Sequence, residues 1–286
     1  MSMLINELSA SPMPRNASPS SRRFRTGCGY GSLMIICLLG LVLGGCKKQS
    51  AGAEPGSAGP GSTGQFTTID WSTAGAIQGT VHYAKTPPKP VEIDMNQDPA
   101  CTLGPTLYSE QYVVSNGGGF ANVFIYIKNG LGNKVYAAPT TPVDIDQKGC
   151  RYVPHVVGVM VGQPVRFTNS DPTMHNVHMV PTVAGNQAVD ISQAPAGGAN
   201  QAQDERTFRL PELMMPVRCN NHPWMQAFIN VSANPFFAVS DVSGRYMIKG
   251  LPPGTYTVVA DQEELGQKIA TVTVPAQGTA TQDFTY

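Results

Sequence analysis

The chain has 286 residues, and its 19 basic and 19 acidic side chains cancel, so no bulk field draws it to nucleic acid. Charged residues make up only 13%, while 30 glycines and 24 prolines are spread along the chain. No long segment of 3.6-residue periodicity and no basic stripe appears, which favours short strands joined by turns and excludes a nucleic-acid binder. This length can hold one or two domains with real cores.

The first 46 residues read as a targeting segment. Arg22, Arg23 and Arg25 precede an apolar run from Ser32 to Gly45, which is too short to span a bilayer comfortably. The run ends in Leu43-Gly44-Gly45-Cys46, which resembles the lipobox of bacterial lipoproteins. The resemblance implies cleavage before Cys46 and acylation of its thiol; an uncleaved short anchor is the alternative. The leader is long, so Met13 is an alternative start. The paired arginines suggest twin-arginine export, although Phe24-Arg25-Thr26 departs from that motif. Lys47, rather than an aspartate, follows the lipidated position, which by the same resemblance favours the outer membrane. The expected location is periplasmic or at the cell surface, with the lipid as anchor.

Cleavage removes four arginines and Glu7, leaving 15 basic and 18 acidic residues. Residues 47–70 are glycine, serine, alanine and proline with few apolar side chains, and so form a flexible tether. Its root-mean-square span is roughly 25–30 Å. Beyond Cys46 the chain keeps Cys101, Cys150 and Cys219. In an oxidising compartment an odd count points to one disulfide and one special thiol. Pairing Cys101 with Cys150 leaves Cys219 free for metal.

Order is expected to begin near Trp71. Gly75-Ala76-Ile77-Gln78-Gly79-Thr80-Val81-His82-Tyr83 alternates as a strand with one buried face, and Phe120 to Ile127 is apolar enough for a central strand. Val157 to Asp171 reads as strand, glycine turn, strand and polar turn. Residues 183–205 are expected to form long loops or edge strands. Pro211 and Pro216 bracket a segment expected to be no more than a turn, and Gln226 to Ser232 is a strand. Gly244 to Val259 reads as a hairpin with a type II turn at Pro253-Gly254. Its Gly244-Arg245-Tyr246 and Leu251-Pro252-Pro253-Gly254-Thr255-Tyr256 resemble motifs of the carboxypeptidase regulatory-like (transthyretin-like) β-sandwich, as does Ile77-Gln78-Gly79-Thr80-Val81. That resemblance implies an all-β sandwich split between residues 71–142 and 235–286.

Between these parts, residues 143–234 carry the chemistry. Cys219-Asn220-Asn221-His222-Pro223-Trp224-Met225 sets a thiol, an imidazole and a thioether within seven residues, donors that suit copper better than calcium, magnesium or zinc. His175 in Met174-His175-Asn176-Val177-His178 supplies a fourth donor. Singly, a cysteine or methionine here would be core filler; together they form a metal-ligand set. These two motifs resemble the small cupredoxins of the amicyanin and plastocyanin type, as do Gly162-Gln163-Pro164-Val165 and Ile229-Asn230-Val231. The resemblance implies a Greek-key sandwich, inserted in or packed on the other one, with a mononuclear type 1 copper. It makes His175 and His222 the imidazole ligands, Cys219 the thiolate and Met225 the axial sulfur. Asn176 would tie the ligand loop to its neighbouring strand. Arg218 departs from the family, which often has an aromatic or apolar residue before the cysteine.

His178 lies three residues from His175 and should face away from it. His82 and His155 sit in strand-like runs without other metal donors nearby and are expected to be ordinary residues. Met174, Met179, Met214 and Met215 are expected to form an apolar rim around the ligands, the alternative being a surface that hands on Cu(I). The function implied is a lipid-anchored one-electron carrier, not an enzyme. The exposed ring edge of His222 would meet a redox partner such as a cytochrome or dehydrogenase. Copper delivery without electron transfer, or a glycan-binding or adhesion sandwich, are the alternatives.

Overall fold

The computed structural model describes residues 65–197 and 203–286. The leader, Cys46 and the tether as far as residue 64 lie outside the described residues. The last residues assigned to the tether are held: Thr67 N–H donates to the Val135 carbonyl at 2.6 Å, and Ile69 packs on a core.

The described chain is nearly all β. Its first two strands, β1 (Gly75–His82) and β2 (Phe124–Asn129), are separated by a long connection with one 3-10 turn at Cys101–Leu103. Nine strands follow: β3 (Val143–Gln147), β4 (Tyr152–Val153), β5 (Val156–Met160), β6 (Val165–Asn169), β7 (His175–Met179), β8 (Val189–Gln193), β9 (Asp204–Arg206), β10 (Glu212–Arg218) and β11 (Gln226–Ser232). The chain ends with β12 (Phe237–Val239), β13 (Arg245–Leu251), β14 (Gly254–Gln262), β15 (Gly266–Val274), β16 (Thr279–Thr281) and β17 (Phe284–Thr285).

These strands sort into four sheets. Strands β3–β11 make two of them, ordered β5-β11-β10-β7-β8 and β4-β3-β6-β9, which close on a core built from Ile145, Phe167, Val177, Met179, Val217 and Ile229 among others. The flanking strands make the other two, β13-β1-β16 with β17 beside β1, and β12-β2-β14-β15, around Ile77, Phe120, Ile125, Ile127, Phe236 and Val258. Each pair of sheets encloses one core as a sandwich, with buried residues alternating along strands such as β6 and β13. Strand β2 is buried on both faces: Ile125 and Ile127 enter its own core, while Phe124 and Tyr126 turn outward to Val156 and Phe228 of the other sandwich.

Gly158 on β5 makes that join possible. A Cβ there would lie 2.6 Å from ring atoms of Phe124 and Phe237, so only a glycine lets the sheets come this close.

Several local expectations fail on tertiary grounds. The segment after Pro211 is not a turn but the bulged strand β10. Its register shifts between Glu212 and Met215, Met214 takes φ 48°, and the Met214 N–H donates to the Asn230 side chain at 2.9 Å. Pro216 is tolerated because pairing with β7 begins only at Val217. The residues after Gly244 form two strands that do not pair with each other: β13 lies beside β1, while β14 pairs with β2 and β15. Leu251–Gly254 therefore crosses between sheets, and the positive φ lies at Gly250 (81°), with Gly254 outside that region. The methionines do not form a rim either. Met179 and Met215 are core residues, Met214 sits in the join, and Met174 is 48% exposed.

Candidate metal centre

The connection between β1 and β2 does more than link two strands. It leaves its own sandwich, and Met95, Cys101 and Leu107 bury themselves in the core of the other one. A disulfide between Cys101 and Cys150 anchors it there. Cys219 remains a buried free thiol.

His175 opens β7, and Cys219 follows β10 directly, so the pairing of these strands brings the two residues together. The loop from Cys219 to Met225 folds back on itself, with Met225 N–H donating to the His222 carbonyl at 2.9 Å and Cys219 N–H to the Met225 carbonyl at 3.4 Å. This turn carries His222 inward. His175 Nδ1 and His222 Nδ1 lie 2.9 Å apart, Cys219 Sγ lies 3.6 Å from His222 Nδ1, and the three donors all fall within 4.8 Å of one another. Met225 is fully buried on the same loop.

Each imidazole turns its other nitrogen to a carboxylate. His175 Nε2 meets Asp171 Oδ2 at 2.9 Å, and His222 Nε2 meets Asp98 Oδ2 at 3.0 Å. Asp171 is held by the backbone N–H groups of Gly149 and Cys150 at 2.6 and 2.7 Å, and Asp98 accepts from the Thr173 hydroxyl at 2.7 Å. His222 is only 3% exposed and its ring packs on Trp224, whose Nε1–H donates to the Cys150 carbonyl. The expected exposed ring edge of His222 is therefore absent: the connection after β1 covers it.

The electrostatics favour a bound cation. Burial pushes the Cys219 thiol up, but bonds from His175, from the Asn176 N–H at 3.3 Å and from His222 outweigh it and bring the group down to about 7. Burial pushes His175 down, and Asp171 and Cys219 more than reverse it. For Asp171, burial raises the carboxyl, and the His175 and backbone donors lower it below the ordinary value. Asp98 is lowered chiefly by the Thr173 hydroxyl. A ready thiolate and two imidazoles whose far nitrogens are held by carboxylates form a donor set that fits a soft, nitrogen-loving metal such as copper.

The remaining residues singled out in the sequence fall around this centre. Asn176 links three segments: its amide nitrogen donates to Asp190 Oδ1 at 2.8 Å and to the Ile191 carbonyl at 2.9 Å, and its oxygen accepts from Asn220 N–H at 3.3 Å. His178 faces away from the donors and meets Asn220 Oδ1 at 2.9 Å. His155 lies away from the donors, buried and partnered by Glu263 and the Gln226 carbonyl. Cys219 also reaches a surface cleft of about 530 Å³ lined by His178, Val180, Pro216, Arg218 and Pro223. Asp98, Asp171 and Thr173 were missed from sequence. Asp171 alone left a trace there, as the end of the polar turn four residues before His175.

No family model and no curated protein matches the chain. Among solved structures, an amicyanin variant in its Cu(I) form is 23% identical over 32% of this chain and 82% of its own, with a TM-score of 0.28. A copper-containing nitrite reductase from Thermus scotoductus is 21% identical over 37% of this chain and 26% of its own, with a TM-score of 0.29. A purple cupredoxin from Nitrosopumilus maritimus is 20% identical over 32% of this chain and 99% of its own, with a TM-score of 0.25.

Proposed function

We propose that this protein is a one-electron carrier outside the cytoplasm, held to a membrane by lipid on Cys46, with one type 1 copper in a cupredoxin-like sandwich. His175, Cys219 and His222 would hold the metal, with the Met225 thioether on the same loop as a fourth donor. The observation that carries the reading is the convergence of both Nδ1 atoms and Cys219 Sγ within 4.8 Å in a buried place. Bound copper would supply a single electron cycling between Cu(II) and Cu(I). The chain's own contribution is to keep the donors still: buried rings, pinned at the far nitrogen, cannot rearrange when the charge changes.

The same burial argues for a carrier rather than an enzyme, since His175 is fully buried and His222 nearly so, which leaves no substrate space over the imidazoles. The partner would be another redox protein, a cytochrome or dehydrogenase.

Adding Cu(II) to the purified protein tests this. Intense blue or green colour that bleaches and returns on reduction and reoxidation is expected, and Cys219→Ser should abolish it. Weak, colourless binding would sink the carrier reading. Coloured binding followed by rapid loss of Cu(I) to a chelator would favour delivery.

A further inference from the structure

Asp98 and Cys101 lie three residues apart, and between them they join both carboxylate–imidazole pairs. Cys101 N–H donates to the Asp98 carbonyl at 3.0 Å, and the Cys101 sulfur is bonded to Cys150. Cys150 N–H in turn donates to Asp171 Oδ2, the carboxylate behind His175. One disulfide therefore ties together the groups that stand behind both rings. The Asp98 side chain is itself tightly placed: Oδ1 accepts from Ala100 N–H at 2.9 Å, and Oδ2 is shared by Thr173 and His222.

A carboxylate at Nε2 keeps a proton on that nitrogen, so the ring presents Nδ1 to Cys219 and to any metal that binds there. An ordinary surface ring edge would carry water there. Here the connection after β1 covers it, and His222 is 3% exposed.

We propose that Asp98 is the positioning residue for His222. It fixes the ring with Nδ1 toward Cys219, shuts the Nε2 edge from solvent, and adds a negative charge behind the ligand that favours the more oxidised state of the metal. The charge effect rests on the copper reading, while the closure does not.

Two variants separate shape from charge. Asp98→Asn keeps an acceptor of the same outline, and Asp98→Ala removes both. In the metal-free full chain, diethyl pyrocarbonate labelling mapped by mass spectrometry reads the closure, with the partly exposed His178 as internal reference. His222 should be protected in the wild type and in Asp98→Asn, and labelled at least tenfold faster in Asp98→Ala. In the copper-loaded protein, both variants should shift the Cu(II)/Cu(I) equilibrium about tenfold toward Cu(I), a rise of 59 mV for one electron. Equal protection of His222 in Asp98→Ala, or a potential unmoved by Asp98→Asn, overturns the proposal. Should Asp98→Ala not fold, the potential of Asp98→Asn decides. A wild-type chain that takes up no copper defeats the carrier reading, and the labelling comparison still decides whether Asp98 closes the ring.

Discussion

His155 and Glu263 lie 108 residues apart, and their side chains meet at 2.8 Å across the join of the two sandwiches, both almost fully buried. His155 stands just before β5 and is held on its other nitrogen by the Gln226 carbonyl at 3.0 Å, while Glu263 sits in the turn after β14. This pair, the rings of Phe124 and Phe237, and the bare backbone of Gly158 together set how the two sandwiches meet.

The pair makes stability depend on pH in a definite direction. Burial disfavours the charged imidazole, but the Glu263 bond and charge, the Glu110 charge and the Gln226 carbonyl outweigh it, so His155 titrates above its ordinary 6.5. A group raised on folding stabilises fully below its unfolded value and loses that contribution as pH rises through the folded one. Thermal melting of the wild type should therefore weaken as pH climbs above 6.5, and His155→Gln should flatten that slope. His155→Ala, which strands the Glu263 carboxylate, should cost roughly 3–5 kcal/mol in denaturant unfolding below pH 6.5. Parallel wild-type and His155→Gln curves would refute the assignment.

Gly158 offers a test of the join that does not involve charge. A methyl group there must displace ring atoms of Phe124 and Phe237 from 2.6 Å, and Phe124 is fully buried and cannot swing into solvent. Gly158→Ala is expected to cost about 1–3 kcal/mol by overpacking. Urea unfolding with an unchanged midpoint would show that the rings have room to yield.

The Cys101–Cys150 disulfide closes a loop with a sequence separation of 49 residues and ties the connection after β1 to the other sandwich. Replacing both cysteines with serine should cost about 4 kcal/mol on the chain-entropy account. Because the same bridge stands between Asp98 and Asp171, metal affinity should fall as well, read by competition against a chelator. A loss of stability with unchanged affinity would show that the outer carboxylates hold without the bridge.

How much of this was legible in the sequence depends on how far apart the partners lie. Cys219, His222 and Met225 could be read because they share one short loop, and His175 because it sits in its own compact motif. Asp98 carried no signal: it is 124 residues from His222 and lies in a stretch that reads as connector. The same limit explains the misread crossing at Leu251–Gly254. Turn residues say that the chain reverses, but not whether the next strand returns to the same sheet. Pro211 and Pro216 misled for a related cause, since only the pairing on either side shows that a bulge and an unpaired edge can absorb them.

The thiol itself supplies the last test. Cys219 is brought from 9.0 to about 7, with burial working against the shift and the bonds from His175, Asn176 and His222 driving it. A group lowered on folding gives its full stabilisation above the unfolded value, here 9.0, and loses it as pH falls through about 7. In the metal-free protein, thiolate absorbance in the ultraviolet should rise with a midpoint near 7. Metal uptake should release a proton below that pH and almost none well above it, because the ligand is the thiolate. His175→Ala removes the first of the stabilising side chains, so its midpoint should move up toward 9.0. A wild-type midpoint already at the ordinary value would mean that the imidazoles do not hold the thiolate, and that the donor set is not preformed around Cys219.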